Sequence, residues 1–378
     1  MVLAKNLKQR IIEIDVFRGL AIMTMIIVDA PPDFEIIYPL LTHSSWQGLT
    51  IADLAFPAFV FAMGMSASLS VFKSNFHFRH IVSRTLLLFL IGVLFNAFPY
   101  FFNWLLSNTT DSELYEQAII NGRILGVLQR LALTYVFGIF LCRVLRTDKN
   151  ILIAVFFLMI ASSIGFHIYA SDDPFNQIDN ISRALDLYIF GEMHLYQYYG
   201  FPFDPENLYG TINSTASMMF GVLAGQLVLK NKMERTNLKE MCLLGITLII
   251  CGYLWSKFDV ISKPLWTAPY TLLTSGGSLL LIAILICLCA QFNTSKLFRL
   301  FCAAGTNPLF FYLITNVALI ILWAITFEDV PVYLWIWQHT TKDIISPAFG
   351  SAIYAFIWCL LWLPIAELFY RKNIIIKL

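Results

Sequence analysis

Ten long apolar stretches, separated by short polar connections, are the feature that most constrains the fold of this chain. They cover residues 12–30, 50–72, 80–104, 121–145, 150–170, 211–230, 238–257, 267–291, 299–325 and 347–370. A helix that crosses a bilayer needs about 20 mostly apolar residues, and each stretch has roughly that length. The stretches lack the alternating pattern of barrel strands. The sequence therefore predicts an all-α, polytopic membrane protein of about ten transmembrane helices, forming a single domain over residues 1–378.

The composition supports the same fold class. Hydrophobic residues make up 58% of the chain and charged residues 13%, and the mean hydropathy is +0.72, which leaves too little polar surface for a soluble globule of 378 residues. The formal net charge of +1 is spread among the connections. Because nucleic-acid binding requires a concentrated basic surface, the lipid bilayer and not nucleic acid is the predicted partner.

The basic residues lie in alternate connections, and this pattern predicts the orientation. The predicted cytoplasmic connections carry sets such as Lys73, Arg79 and Arg84, then Arg143, Arg146 and Lys149. Lysine and arginine are enriched on the cytoplasmic side of membrane proteins. We therefore expect both termini in the cytoplasm and the connection that holds His43 on the opposite side. The short loops favour a bacterial inner membrane.

Ionisable residues inside the apolar stretches are the first candidates for function, because such groups usually face a cavity or each other. Asp15 and Arg18 are three residues apart, so an ion pair and an anion site are both open interpretations. Arg123 and Arg130 are seven apart in the fourth predicted helix, which predicts that they share one face. Asp53, near the start of the second helix, is a possible partner of either arginine.

His43 lies in the polar connection "THSSWQG", ten residues before Asp53. A carboxylate beside a histidine fixes its tautomer and stabilises imidazolium, which suits a general base. A loop histidine is also often structural, and the residues alone leave both interpretations open. We predict no metal centre, because no second histidine or cysteine falls at ligand spacing.

Five blocks of sequence carry a family resemblance. "IDVFRGLAIMTMIIVDAP" followed by "YPLLTHSSWQGLTIADLAFPAFVFAMG" resembles the opening signature of the heparan-α-glucosaminide N-acetyltransferase family. Four further blocks continue the similarity in order, at residues 123–135, 194–211, 262–277 and 304–312.

The resemblance implies transfer of an acetyl group from cytoplasmic acetyl-CoA to the amine of an extracytoplasmic amino sugar. It assigns the catalytic role to His43, as general base or as acetyl relay, with Asp53 holding the imidazole. Asp29 stands where the family usually has asparagine. A carboxylate can orient the imidazole or an acceptor amine there, but it cannot donate to a carbonyl oxygen unless it is protonated. The predicted catalytic residues are thus His43, Asp29 and Asp53.

The remaining candidates surround these residues. The predicted substrate-binding residues are Trp46, Arg123, Arg130, Asp204, Glu206, Lys263 and Trp266. The predicted acetyl-CoA-binding residues are Asp15, Arg18 and Asn307, and the candidate donors to the oxyanion are Arg123, Arg130 and Asn96. Trp46 is equally typical of a membrane-interface anchor, and Asp204 and Glu206 of the start of a helix.

Two other functions stay open at this point. An O-acyltransferase of a cell-envelope glycan would use the same histidine on a different acceptor. A transporter or flippase would explain ionisable residues within the membrane, although no paired discontinuous segments in two halves support it. A homodimer is also compatible with the sequence.

Overall fold

The computed structural model describes residues 11–73, 76–107, 122–197, 199–231, 237–292 and 299–376. The described helices are α1 (Ile12–Asp29), α2 (Ala52–Val71), α3 (Phe78–Ser107), α4 (Val127–Leu145), α5 (Asp148–Tyr169), α6 (Ile181–Phe190), α7 (Thr211–Asn231), α8 (Asn237–Trp255), α9 (Ala268–Phe292), α10 (Arg299–Thr306), α11 (Pro308–Ala324), α12 (Val332–Thr340) and α13 (Pro347–Arg371). Short 3₁₀ turns cover Pro39–Leu41 and Glu192–His194, and a two-residue hairpin pairs β1 (Thr326–Phe327) with β2 (Val330–Pro331).

Eight of the described helices are long and apolar enough to cross a membrane, or nine if α10 and α11 count as one bent span. The eight are α2, α3, α4, α5, α7, α8, α9 and α13. The remaining predicted stretch forms α1, whose 18 residues include Glu13, Asp15, Arg18 and Asp29. The prediction of an all-α polytopic membrane protein is confirmed, and the side on which the termini lie stays a prediction.

The prediction of one continuous helix over residues 299–325 is wrong. These residues form α10 and α11, which meet at Asn307 with a bend of 83°. Pro308 lacks a backbone N–H and disfavours the helical conformation of the residue before it, and Asn307 accordingly has φ −130° and ψ 55°. The break puts Asn307 at a corner between two helices.

The fourth predicted helix begins later than expected. It starts at Val127, so Arg123 lies on an extended segment, residues 122–126, and does not share a helix face with Arg130. Asn96 Nδ2 donates to the carbonyl oxygens of Arg123 and Leu125, at 3.0 and 2.7 Å. These bonds satisfy backbone groups that a helix would otherwise pair, which stabilises the extended segment.

Helices α2 and α7 pack with their backbones in contact. A Cβ atom at Gly64 would lie 2.0 Å from the Met218 carbonyl oxygen, and one at Gly221 would lie 2.1 Å from the Phe61 carbonyl oxygen. Gly221 and Gly225 form a GxxxG pattern, the spacing that lets helices approach closely in lipid. Helix α2 is therefore held against the bundle along its central part.

Candidate active site

Asp53 lies at the first turn of α2 and is fully buried. Its Oδ2 accepts from the backbone N–H of Ser44 at 3.1 Å and from the backbone N–H and hydroxyl of Thr50 at 3.0 and 3.1 Å. A helix N-terminus also favours a negative charge. The cost of burying this carboxylate is thus offset by hydrogen bonds that fold the preceding loop back onto it.

His43 completes the environment of Asp53. The imidazole Nδ1 lies 2.9 Å from Asp53 Oδ1, and the histidine side chain keeps 41% of its surface exposed. An ionised carboxylate can only accept, so Nδ1 carries the hydrogen and Nε2 is the basic nitrogen. The two residues therefore form an oriented pair, and Asp53 pairs with neither Arg123 nor Arg130.

Lys263 is the cation nearest to this pair. Its Nζ lies 3.0 Å from both ring nitrogens of His43 and 4.0 Å from Asp53 Oδ1. Because the two ring nitrogens point in different directions, one ammonium group cannot form a linear hydrogen bond to both. Burial lowers the pKa of Lys263, and the nearby Asp53 and Glu206 act against that shift. The lysine connects the loop after α8 to the His43 loop.

His43 and Lys263 lie in the wall of a cavity of about 640 Å³, which we call the His43 cavity. Its wall brings together the ends of several helices and loops that are far apart in sequence. The polar and aromatic residues of the wall are Asp29, Phe34, Thr42, His43, Ser44, Ser45, Phe56, Arg123, Tyr196, Tyr199, Glu206, Lys263, Tyr312 and Asn316. This volume is within the range of small-molecule sites.

One side of the His43 cavity is an ion-pair network around Arg123. Its Nε and Nη2 bind Asp204 Oδ2 and Oδ1 at 2.7 and 2.8 Å, and Nη2 also lies 2.5 Å from Glu206 Oε2. Burial opposes the charge of Arg123, but the two carboxylates outweigh it and hold the pKa of the guanidinium above its ordinary value. The guanidinium lies over the Tyr196 ring, 4.5 Å from its centroid. Arg123 and Glu206 face the cavity, and Asp204 anchors them from behind.

The opposite side of the cavity carries Asp29. The side chain of Asn316 lies beside this carboxylate, and its Nδ2 donates to the Tyr312 carbonyl oxygen at 3.0 Å. Both partners come from α11, beyond the bend at Asn307. The bend therefore aims the outer part of α11 at the end of α1.

Trp46 lies beneath the His43 loop and is buried. Its Nε1 donates to the Phe175 carbonyl oxygen at 2.8 Å, and its ring packs against Phe203 with centroids 4.9 Å apart. The Gly48 N–H donates to the Ile261 carbonyl oxygen at 2.8 Å. These contacts connect the His43 loop to three other loops, which contain Phe175, Phe203 and Ile261. Trp46 is not part of the cavity wall described above.

Arg130 and Trp266 lie behind the cavity wall. Both are fully buried, and the guanidinium lies 4.9 Å from the centroid of the indole ring. Arg130 Nη2 donates to the Asn207 carbonyl oxygen at 2.7 Å, while Nε and Nη1 have no hydrogen-bond partner among the described residues. The prediction that these two side chains bind substrate gains no support from their positions, and neither they nor Asn96 line the cavity.

A second cavity, of about 400 Å³, lies toward the other end of the bundle, and we call it the Arg18 cavity. Arg18 lies 3.6 Å from Asp15, so the predicted pair forms, and Arg18 also lines the cavity. Arg84 lines it too, with its guanidinium 4.8 Å from the centroid of Tyr135. The corner residue Asn307 forms part of the same wall.

The two cavities share one face of α2. Ala52, Ala55 and Phe56 line the His43 cavity, and Phe59, Ala62, Met63, Ser66, Ala67 and Ser70 line the Arg18 cavity. The spacing of three and four residues is that of a single helix face. Ala55 and Phe59 are about 6 Å apart along the axis, so about one turn separates the two walls. Helices α4 and α11 likewise contribute residues to both cavities.

Comparison with known proteins shows the family to which the chain belongs. The sequence profile of the family described as heparan-alpha-glucosaminide N-acetyltransferase, catalytic, matches residues 10–257. The chain belongs to this family. The match includes His43, Asp53 and the Arg123 network, and it ends before Lys263.

Two relatives carry the name of this N-acetyltransferase family. The human heparan-alpha-glucosaminide N-acetyltransferase is 27% identical over 437 aligned residues, which cover 98% of this chain and 60% of the human protein. The mouse protein of the same name is 28% identical over 337 residues, covering 72% of this chain and 48% of its own length. The chain thus spans about half to three fifths of the relatives it matches.

Several residues of the site escaped the sequence reasoning. Asn316 and Tyr312 face Asp29 and His43 across the cavity, and Thr50 and Ser44 hold Asp53. Asn316 carries a usable signal, since it is an isolated amide within the apolar run "YLITNVAL" of α11. Among the described residues, no group of three or more histidine, cysteine, aspartate or glutamate side chains is placed to hold a metal ion.

Proposed function

We propose that this protein transfers an acetyl group from acetyl-CoA to the amine of an amino sugar on the opposite side of the membrane. One observation carries the proposal. The oriented His43–Asp53 pair opens into one cavity, and a second cavity with two arginines follows along the same face of α2. Membership of an N-acetyltransferase family supplies the reaction class.

His43 acts as the general base in this scheme. The acceptor amine attacks the thioester carbonyl carbon, and His43 Nε2 takes the proton that the nitrogen loses. The carbon–sulfur bond then breaks, and the imidazolium returns the proton to the departing thiolate, so the products are the amide and free CoA. Asp53 stabilises the imidazolium between these steps. In the relay variant, His43 is acetylated first and the amine then attacks acetyl-histidine.

Lys263 is the best-positioned donor to the developing oxyanion. It lines the cavity beside the imidazole, whereas Arg123 is engaged by Asp204 and Glu206. A cation fixed at the site of charge development lowers the barrier more than one that must reorganise. We therefore assign to Lys263 the donation to the oxyanion that the sequence predicts for Arg123, Arg130 or Asn96.

The Arg18 cavity suits the donor. Arg18 and Arg84 offer guanidinium groups to phosphates at its mouth, and Phe59, Leu88 and Leu131 give it apolar walls. A long, flexible arm with the thioester at its end fits two stacked cavities better than a compact donor does. Acetyl-CoA from the cytoplasm satisfies these requirements if the Arg18 end is cytoplasmic.

The acceptor side suits an amino sugar. Tyr196 and Tyr199 offer aromatic faces to a sugar ring, and Asp29 and Glu206 offer carboxylates to an amine and to hydroxyl groups. Burial raises the pKa of Tyr199 above its ordinary value, with neighbouring carboxylates adding to the shift, so this side chain stays a neutral hydroxyl.

The test is an assay of purified protein with radiolabelled acetyl-CoA and glucosamine, galactosamine and muramic-acid acceptors. We expect acetylated amine and free CoA in equal amounts. Acetylation of hydroxyl groups alone would establish an O-acyltransferase instead. Uptake of a solute into proteoliposomes, without CoA release, would establish a transporter and overturn the proposal.

The orientation is tested by labelling in intact cells. A membrane-impermeant maleimide should react with Ser44→Cys, in the His43 loop, and not with Lys149→Cys, at the start of α5, until the cells are lysed. Labelling of both positions in intact cells would contradict the opposite-face geometry.

A further inference from the structure

The segment that follows α13 folds back onto the Arg18 cavity. Helix α13 ends at Arg371, and Asn373 has a positive φ of 52°, which reverses the chain. The Ile374 N–H donates to the Phe369 carbonyl oxygen at 2.9 Å and fixes the reversal. Residues 374–376, which we call the strap, then run past the corner between α10 and α11. The side chains of Ile375 and Ile376 form part of the cavity wall.

The side-chain amide of Asn307 hydrogen-bonds the strap through both its nitrogen and its oxygen. Its Nδ2 donates to the Ile374 carbonyl oxygen at 2.8 Å, and its Oδ1 accepts from the Ile376 N–H at 2.8 Å. Asn307 itself is only 3% exposed. A buried amide that lost these two partners would be costly unless another amide replaced them. The residue is therefore matched to any ligand that presents a C=O and an N–H together.

The strap is only partly buried. Ile374, Ile375 and Ile376 remain 40%, 45% and 39% exposed. Two hydrogen bonds and partial burial of two isoleucines hold it, which is a modest total beside the contacts of a core helix. Displacement of residues 374–376 therefore leaves the helical bundle intact.

We propose that the strap occupies the place of the donor's amide-containing arm, and that acetyl-CoA binds by displacing it from Asn307. The inference rests on the proposed function and deepens it. The pantetheine arm of CoA contains two secondary amides in series, so the C=O of one and the N–H of the next can replace the Ile374 C=O and the Ile376 N–H at Asn307. The strap thus acts as an internal competitor, and it closes the Arg18 cavity while no donor is bound.

The proposal predicts the sign of an affinity change. Ile375→Ser combined with Ile376→Ser weakens the strap and leaves Asn307 intact, so a larger fraction of the protein is open to donor. We expect CoA to bind about three- to tenfold more tightly, measured by titration calorimetry on the detergent-purified protein. If the strap were instead a fixed wall of the site, the same variant would bind CoA more weakly, and that result would overturn the proposal.

A second measurement follows the strap directly. In Ile376→Cys, the rate of maleimide labelling should rise when CoA is added, with wild-type protein providing the background from native cysteines. Lys149→Cys, an exposed residue at the start of α5, is the matched control and should not change. Unchanged or slower labelling of Ile376→Cys, in protein that binds CoA by calorimetry, would refute displacement. Absence of CoA binding in wild-type protein would instead refute the proposed function, and the strap proposal with it.

Discussion

Among the residues that the structure describes, two histidine–carboxylate pairs have the same nitrogen–oxygen distance. His43 Nδ1 is 2.9 Å from Asp53 Oδ1, and His167 Nε2 is 2.9 Å from Asp259 Oδ1. The histidine side chains are 41% and 45% exposed, and both carboxylates are buried. Distance and exposure therefore do not distinguish them.

Their surroundings do distinguish them. Asp53 Oδ2 binds the loop that carries its own histidine, Lys263 lies beside the ring, and a cavity opens in front of it. Asp259 Oδ2 accepts from Trp255 Nε1 at 3.0 Å, so that pair connects the ends of α5 and α8. His167 lines neither of the two cavities described above. A histidine and a carboxylate in contact make a catalytic candidate only where a substrate can approach the free nitrogen.

The largest expected effect comes from replacing each histidine by alanine. His43→Ala should lower acetyl transfer by about 10²–10⁴, because a positioned general base contributes that much, and by more if His43 is a covalent relay. His167→Ala should leave the rate within a few-fold of wild type. The measurement is kcat for labelled acetyl transfer, with size-exclusion profiles and CoA binding as folding controls. Equal losses in the two variants would remove the distinction between the pairs.

Replacing the carboxylates should separate orientation from packing. Asp53→Asn retains the shape but loses the charge-assisted bond to His43, so we expect kcat to fall about 10- to 100-fold. Asp259→Asn weakens the matching bond at the C-terminal ends of α5 and α8 and should lower thermal stability with little change in kcat. An Asp53→Asn variant with full activity would show that this carboxylate only holds the loop.

The arginines of the other cavity should change a different kinetic parameter. Arg18→Gln and Arg84→Gln should each raise the KM for acetyl-CoA by up to about tenfold, because each removes a charge-assisted contact to phosphate. The kcat at saturating donor should stay close to wild type, unlike that of His43→Ala. Arg79→Gln, an exposed residue near the start of α3, is the matched control. A fall in kcat without a change in KM would place the donor elsewhere.

Asp186 is another buried carboxylate, and it can be compared with Asp53 and Asp259. Its Oδ2 has no hydrogen-bond partner among the described residues. Burial raises its pKa to about 7, against the hydrogen bond from the Leu208 N–H, and the ordinary value is 3.8. The folded protein therefore binds this proton more tightly than the unfolded protein does. Its contribution to stability is present below about pH 4 and is lost as the pH rises toward 7.

We expect Asp186→Asn to flatten the decline of the melting temperature between about pH 4 and pH 7, by a few degrees at most. Asp172→Asn, an exposed residue in the loop before α6, is the control and should melt like wild type at each pH. An unchanged pH dependence in Asp186→Asn would show that Asp186 is ionised in the folded protein.

The sequence predicts the parts of this site that are local in the chain. His43 and Asp53 are ten residues apart and flank one helix start, so their contact follows from a short loop closing on a helix N-terminus. The length of each apolar stretch also predicts that a membrane helix forms there, and the predicted all-α membrane fold is confirmed. The family match confirms the family resemblance, and the reaction class that it implies stays a proposal.

The distant contacts could not be predicted in this way. Lys263 reaches His43 across 220 residues, and Asn316 joins Asp29 through a bend that apolar length cannot reveal. Arg123 was predicted on a helix because its neighbours are apolar, but its partners Asp204 and Glu206 hold it on an extended segment. Hydropathy reports only the preference of a segment for lipid. The positions of Lys263, Asn316 and Arg123 depend instead on ion pairs between distant residues and on the helix break at Pro308.

The contact between α2 and α7 at Gly64 and Gly221 has a consequence for donor choice. Because the two backbones touch, α2 is held rigidly against α7. Its 20 residues span about 30 Å, and both cavities lie along this length. If the donor binds as proposed, this fixed length selects a donor by the reach of its carrier as well as by its acyl group. We therefore expect acetyl phosphate, which holds the same acetyl group but lacks an arm, to be a poor donor.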